Sequence, residues 1–141
     1  MNVVADTNVV VSALLWFGPP HRILTAAEAG RLTLYTSPAL VDELLRVLTR
    51  PTFATRLEAR RATAHELTAG YLRLARLTIP APLPPVVLDD PDDDAVLACA
   101  VAARAQAVIT GDQHLLRLET FRGIPIVPPS TSFSKTLSLK K

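Results

Sequence analysis

The side chains with chemistry to offer in this 141-residue chain are carboxylates at four places: Asp6, Glu43, the neighbours Asp93 and Asp94, and Asp112. Five of the eight aspartates fall between Asp89 and Asp94, directly before the apolar run Ala95–Ala103. Taken singly, each acid can be a helix cap or a partner of a helix dipole. A cap needs only one aspartate, and the dipole returns about 0.3–1 kcal/mol per charge. Two unit charges about 4 Å apart repel by about 4 kcal/mol at an effective dielectric near 20. If these acids converge, either some hold protons or a cation sits among them. An all-oxygen ligand set selects a hard ion, Mg²⁺ or Mn²⁺, over zinc. Such an ion activates a water and offsets charge on a leaving oxygen, which is the chemistry of phosphodiester hydrolysis. No Gly-rich phosphate loop with a lysine is present, which disfavours nucleoside triphosphate chemistry.

The acids must be positioned by elements that the sequence also marks. "MNVVAD" and "AVITGD" are short apolar runs, each expected to be a strand ending in aspartate. "LTLYTS" and "IPIVPP" read as further strands. "TNVVVSALLW" is expected to turn into a helix stopped by "FGPP", and "HRILTAAEAG" reads as a helix closed at Gly30. "SPALVDELLRVLTRP" is the clearest helix, with Ser37 as cap, Pro38 at its first position and Pro51 after its end. "ARRATAHELTAGYLRLARL" is expected to be one more amphipathic helix, with Leu67, Tyr71, Leu74 and Leu77 on its apolar face. "TIPAPLPPVVL" holds four prolines and reads as a strand fragment or extended crossover. "DDDAVLACAVAARAQ" and "QHLLRL" complete the helices. Alternation of strands with helices implies an α/β fold, a Rossmann-like three-layer α/β/α sandwich with a central parallel sheet. In such sheets ligands bind beyond the carboxyl ends of the strands, where Asp6 and Asp112 would project together.

Composition fits one domain: 49% of residues are hydrophobic, and no uncharged apolar run reaches the ~18 residues of a membrane span. The N-terminus lacks the basic start of a secretory signal and is expected to be mature structure. The lone Cys99 cannot form an internal disulfide, which fits a cytoplasmic location. Net charge is a mild +2, yet seven arginines lie between Arg46 and Arg76 against only Glu58 and Glu66. A basic stretch opposite an acidic cluster points to a polyanionic partner near a cation site, though a solvated helix face accounts for the arginines as well.

Four segments in order, "VVADTNVVVSALL", "SPALVDELLRVL", "DPDDDAVLACAVAARAQAVITGDQHLL" and "IPIV", resemble the successive motifs of a PIN domain, and the chain is similar to the bacterial and archaeal VapC-like toxin components within that family. The resemblance covers residues 2 to about 128 and implies a PIN domain over 1–128, with 129–141 as a flexible tail. It implies a Mg²⁺- or Mn²⁺-dependent endoribonuclease, the toxin of a type II toxin–antitoxin pair, with RNA as substrate, a cognate antitoxin and a homodimeric state. By the same resemblance Asp6, Glu43, Asp93, Asp94 and Asp112 are the catalytic candidates, and Asp6, Asp93, Asp94 and Asp112 the metal ligands. The common family spacing back from Asp112 lands on Asp94, whereas a "DPxD" subgroup signature lands on Asp93, so both stand. Thr7, Asn8 and Thr110 are expected to support the pocket, and Arg46 and Arg50 to contact substrate. His114 replaces a second acid found in relatives after "GD" and is read as an exposed residue at a helix start. The alternative reading is a catalytically weak PIN-fold module that binds RNA or protein and is not a toxin. A haloacid-dehalogenase-type enzyme is disfavoured, because Asn8 stands where a second aspartate is needed.

Overall fold

Successive residues of the first strand, β1 (Asn2–Ala5), serve two different cores. Val3 and Ala5 face one, Val4 the other, as the two-residue period of a strand buried on both sides requires. The structure, a computed structural model, describes residues 1–84 and 91–130. Among them, six strands form one sheet in the order β3-β2-β1-β4-β6-β5, where β2 is Thr33–Thr36, β3 Arg76–Leu77, β4 Ala107–Ile109, β5 Thr120–Phe121 and β6 Ile124–Val127. Every pairing is parallel except β5 with β6.

Helices cover both faces, so the molecule is the expected mixed α/β three-layer sandwich. On the face of Val3, Leu34 and Ile109 lie α1 (Thr7–Leu15), α2 (Pro19–Glu28) and α5 (Ala64–Leu74), through residues such as Leu15, Ile23 and Tyr71. On the face of Val4 and Val108 lie α6 (Pro91–Ala102) and α7 (Gln113–Leu116), through Leu97, Cys99 and Leu115. Helix α3 (Pro38–Leu48) serves both: Leu44, Val47 and Leu48 enter the first core and Leu40 the second. Its start is as read from sequence, with Ser37 Oγ accepting from Leu40 N at 3.4 Å and Pro38 at the first position. Gly30 follows α2 at φ +77°, a conformation that favours glycine at a helix end.

The helix expected from Ala59 to Leu77 is not one element. A short helix α4 (Ala54–Ala59) follows a 3₁₀ turn at Pro51–Phe53, and Arg61 then takes a left-handed φ of 53°. Helix α5 starts afresh at Ala64 behind a reciprocal cap. Glu66 N donates to Thr63 Oγ1 at 3.0 Å, and Thr63 N donates to Glu66 Oε1 at 2.9 Å. At the far end Arg76 and Leu77 pair with β2 instead of continuing the helix, so Leu77 is exposed rather than on an apolar helix face. Strand β5 was also not anticipated; the hairpin to β6 turns at Arg122 and Gly123, both at positive φ, as a tight two-residue loop demands. The proline-rich segment has no regular structure over 78–84, and its remainder, with Asp89, Asp90 and most of the tail (131–141), lies outside the described residues.

Candidate active site

Strands β1 and β4 are adjacent and parallel, with Ala5 opposite Ile109, so the residues just past their carboxyl ends emerge side by side. Asp6 N donates to Ile109 O at 3.0 Å and fastens the first of these turns to the second strand. Asp6 is also the N-cap of α1: its Oδ1 accepts from Val9 N at 2.9 Å. Three residues beyond β4, Asp112 caps α7, its Oδ1 accepting from His114 N at 2.7 Å and Leu115 N at 3.4 Å. Thr110, wholly buried, joins the two. Its hydroxyl donates to Asp6 Oδ2 and accepts from Asp112 N at 2.9 Å. Two aspartates 106 positions apart are thus held through one hydroxyl.

Two further helices complete a cleft of about 70 Å³ lined by Asp6, Thr7, Asn8, Glu43, Asp92, Asp93, Val96 and Asp112. Glu43 reaches it from the middle of α3 and accepts a hydrogen bond from the Thr7 hydroxyl. Asp93 reaches it from the first turn of α6 and is 6% exposed. Asp94 does not line the cleft, because the next helical residue points about 100° further round the axis. Asp92 stands at the rim, where Arg46 Nη2 lies 3.5 Å from its Oδ2. Both partners are more than half exposed, so this pair contributes little to stability. Arg50 is exposed just past the end of α3. His114, exposed at the start of α7, has Nδ1 3.8 Å from Asp112 Oδ1. One ligand atom each from Asp93, Asp112 and His114 lie within 4.8 Å of one another. Position alone gave no reason to group His114 with Asp93; only the fold supplies it.

The electrostatics follow from this crowding. Asp6 is 5% exposed, and burial pushes its carboxyl above the ordinary value. The Thr110 hydroxyl and Val9 N–H pull it back, and the charge of Asp112 pushes it up again. Glu43 is raised foremost by burial, lowered by the Thr7 hydroxyl, raised by Asp92 and lowered by Arg46. A carboxylate on another element thus adds to the proton affinity of Asp6 and of Glu43, a crowding of the kind a divalent cation relieves. The donor set fits such an ion: Asp6, Asp93 and Asp112 line one space large enough for an ion with a water or two.

The mostly parallel Rossmann-like sandwich gathers carboxylates past its central strands, at the usual ligand edge of such sheets. Residues 2–114 match the PIN domain, and the chain belongs to that family. PIN domains are generally nucleases that use divalent metals. Against curated proteins no match was found. Among the described residues, no helix is long and apolar enough to cross a membrane.

Proposed function

We propose that the chain is a Mg²⁺- or Mn²⁺-dependent endoribonuclease, the toxin of a type II toxin–antitoxin pair, acting in the cytoplasm as a homodimer restrained by its cognate antitoxin. The observation that carries the nuclease reading is the convergence of Asp6, Glu43, Asp93 and Asp112, from four separate segments, on one small cleft of a PIN domain. The toxin assignment rests on the likeness of the motifs to VapC-like proteins.

Asp6, Asp93 and Asp112 would hold the ion. When bound, it lowers the pKa of a water and offsets charge on the leaving oxygen. The protein's own residues do the positioning. Thr110 and Val9 N fix the Asp6 carboxylate, and the α7 amides fix that of Asp112. Thr7 orients Glu43, whose raised proton affinity suits a group that takes a proton from an attacking water. Asn8 lines the same wall. Arg46 and Arg50 extend from the rim along α3 and supply positive charge for RNA phosphates. Asp93 lines the cleft and Asp94 does not, which supports Asp93 as the ligand of this pair.

The test is cleavage of defined RNAs with Mn²⁺, Mg²⁺ or chelator, followed by end-group analysis. Metal-dependent products with 5′-phosphate and 3′-hydroxyl ends are expected, and Asp6→Asn should abolish them with the fold intact. Cyclic phosphate ends would mean attack by the ribose 2′-hydroxyl and would overturn the water-nucleophile reading. Growth arrest on expression, relieved by the product of a small adjacent reading frame, tests the toxin role separately.

A further inference from the structure

At the far end of α1 the chain presents two aromatic rings to solvent. Trp16 is 40% exposed and Phe17 is 79% exposed, in a protein with only one tryptophan and four phenylalanines. Isolated exposed apolar residues are ordinary, but these are held. Phe17 packs edge-on against His21 with ring centres 4.9 Å apart, and His21 Nδ1 is tied to Ala13 O at 2.9 Å. Trp16 packs edge-on against Phe53 at 6.2 Å, and the Arg56 guanidinium lies 5.0 Å over its ring. Arg56 is fixed in turn by donating to Leu15 O.

The surroundings are basic. Exposed Arg50 directly precedes the turn that carries Phe53, and its carbonyl accepts from Phe53 N at 3.0 Å. Arg60, also exposed, lies four residues after Arg56 and hence on the same side of α4, with Glu58 on the other. Helices α1 and α3 connect the patch to the cleft. Thr7 at the start of α1 bonds Glu43 in α3, and both helices run from there toward Trp16 and Arg50. Seven to nine residues of helix put the patch about 10–14 Å from the cleft, a few nucleotides along an extended strand.

We propose that Trp16 and Phe17, with Arg50 and Arg60, form a stacking platform for the unpaired bases of single-stranded RNA whose scissile phosphate lies in the acidic cleft. Rings present a face that any base can stack on, while arginines follow the backbone, so the platform selects single-stranded over duplex RNA without reading sequence. The inference rests on the ribonuclease reading of the cleft. A protein partner would gain less from this site, because the arginines beside the rings would need matching acids.

Trp16 is the chain's only tryptophan, so its fluorescence reports on the platform directly. In an Asp6→Asn background with Mn²⁺, single-stranded oligoadenylate of about ten nucleotides should quench Trp16, and Phe17→Ala should weaken this binding by about 5- to 150-fold. Phe17→Tyr keeps a ring and should keep the affinity. In the cleaving protein, Phe17→Ala should raise KM for the long oligonucleotide and leave cleavage of a dinucleotide unchanged. Duplex RNA should quench little. Phe17 is mostly exposed, so its truncation opens no core, and circular dichroism checks the fold. Quenching without cleavage by the unmutated chain would defeat the ribonuclease reading and leave the platform standing. Cleavage with Phe17→Ala and Arg60→Ala matching the parent on the long oligonucleotide would overturn the platform, as would a patch that binds only protein.

Discussion

Neutralising Asp112 should stabilise the protein and destroy its response to metal at the same time. Oxygens of Asp93 and Asp112 lie no more than 4.8 Å apart. At that separation two full charges repel by about 3.5 kcal/mol at an effective dielectric near 20. The Asp112 side chain is 27% exposed, and solvent there screens part of the repulsion, leaving about 1–2 kcal/mol. Asparagine caps a helix as well as aspartate does, so Asp112→Asn keeps the hydrogen bonds to His114 N and Leu115 N and removes only the charge. In chelator, thermal unfolding of Asp112→Asn should therefore come about 3–8 °C above that of the unmutated chain. Saturating Mn²⁺ should reverse the order, because a ligand at ~100 times its Kd adds about 2.7 kcal/mol to a protein that binds it. The assay is a melting series with chelator, Mg²⁺ and Mn²⁺ on both proteins. A variant that melts below the parent in chelator, or equal gains from Mn²⁺ in both, would refute the claim that these carboxylates strain against each other and share an ion.

Asp6→Asn should show a related effect in its pH dependence. The folded carboxyl lies above its ordinary 3.8, so the native state holds the proton longer than the unfolded chain, and metal-free stability falls as pH rises through that interval. The melting advantage of the variant should therefore be small in acid, grow as pH rises and then level off; an advantage that shrinks with rising pH would contradict the assignment. Thr110→Val preserves shape but removes the hydroxyl between Asp6 and Asp112 N, at about 1–3 kcal/mol for each buried group left unpaired, measurable by urea denaturation together with loss of cleavage. Cys99 is fully buried, and burial pushes its thiol up to about 12, so thiol reagents should label it only after denaturation.

Local chemistry carried much of this molecule in its sequence. The β-branched runs before Asp6 and Asp112 and the Ser37–Pro38 start of α3 are decided by neighbours in the chain, and reading them in order yields the α/β sandwich. Alternating strands and helices were also enough to send Asp6 and Asp112 to one edge, because parallel strands end on the same side. Where the competing signals were both local, the stronger cap prevailed over periodicity: the Thr63–Glu66 box restarts the helix that Leu67, Tyr71 and Leu74 seemed to continue from Ala59. Other features needed contacts between distant segments. Arg76 and Leu77 leave the helical register because β2 offers an open edge to pair with. Asp93 and Asp94 share a first turn and are equivalent to any pattern of spacing. Only the seating of α6 on Val108 and Leu115 sets its rotation, so that Asp93 lines the cleft and Asp94 does not. The same rotation brings Asp92 to Arg46 and places His114 near Asp93. A chain can specify which acids it carries and on which elements, but the distance between two carboxylates on different elements is a property of how those elements pack.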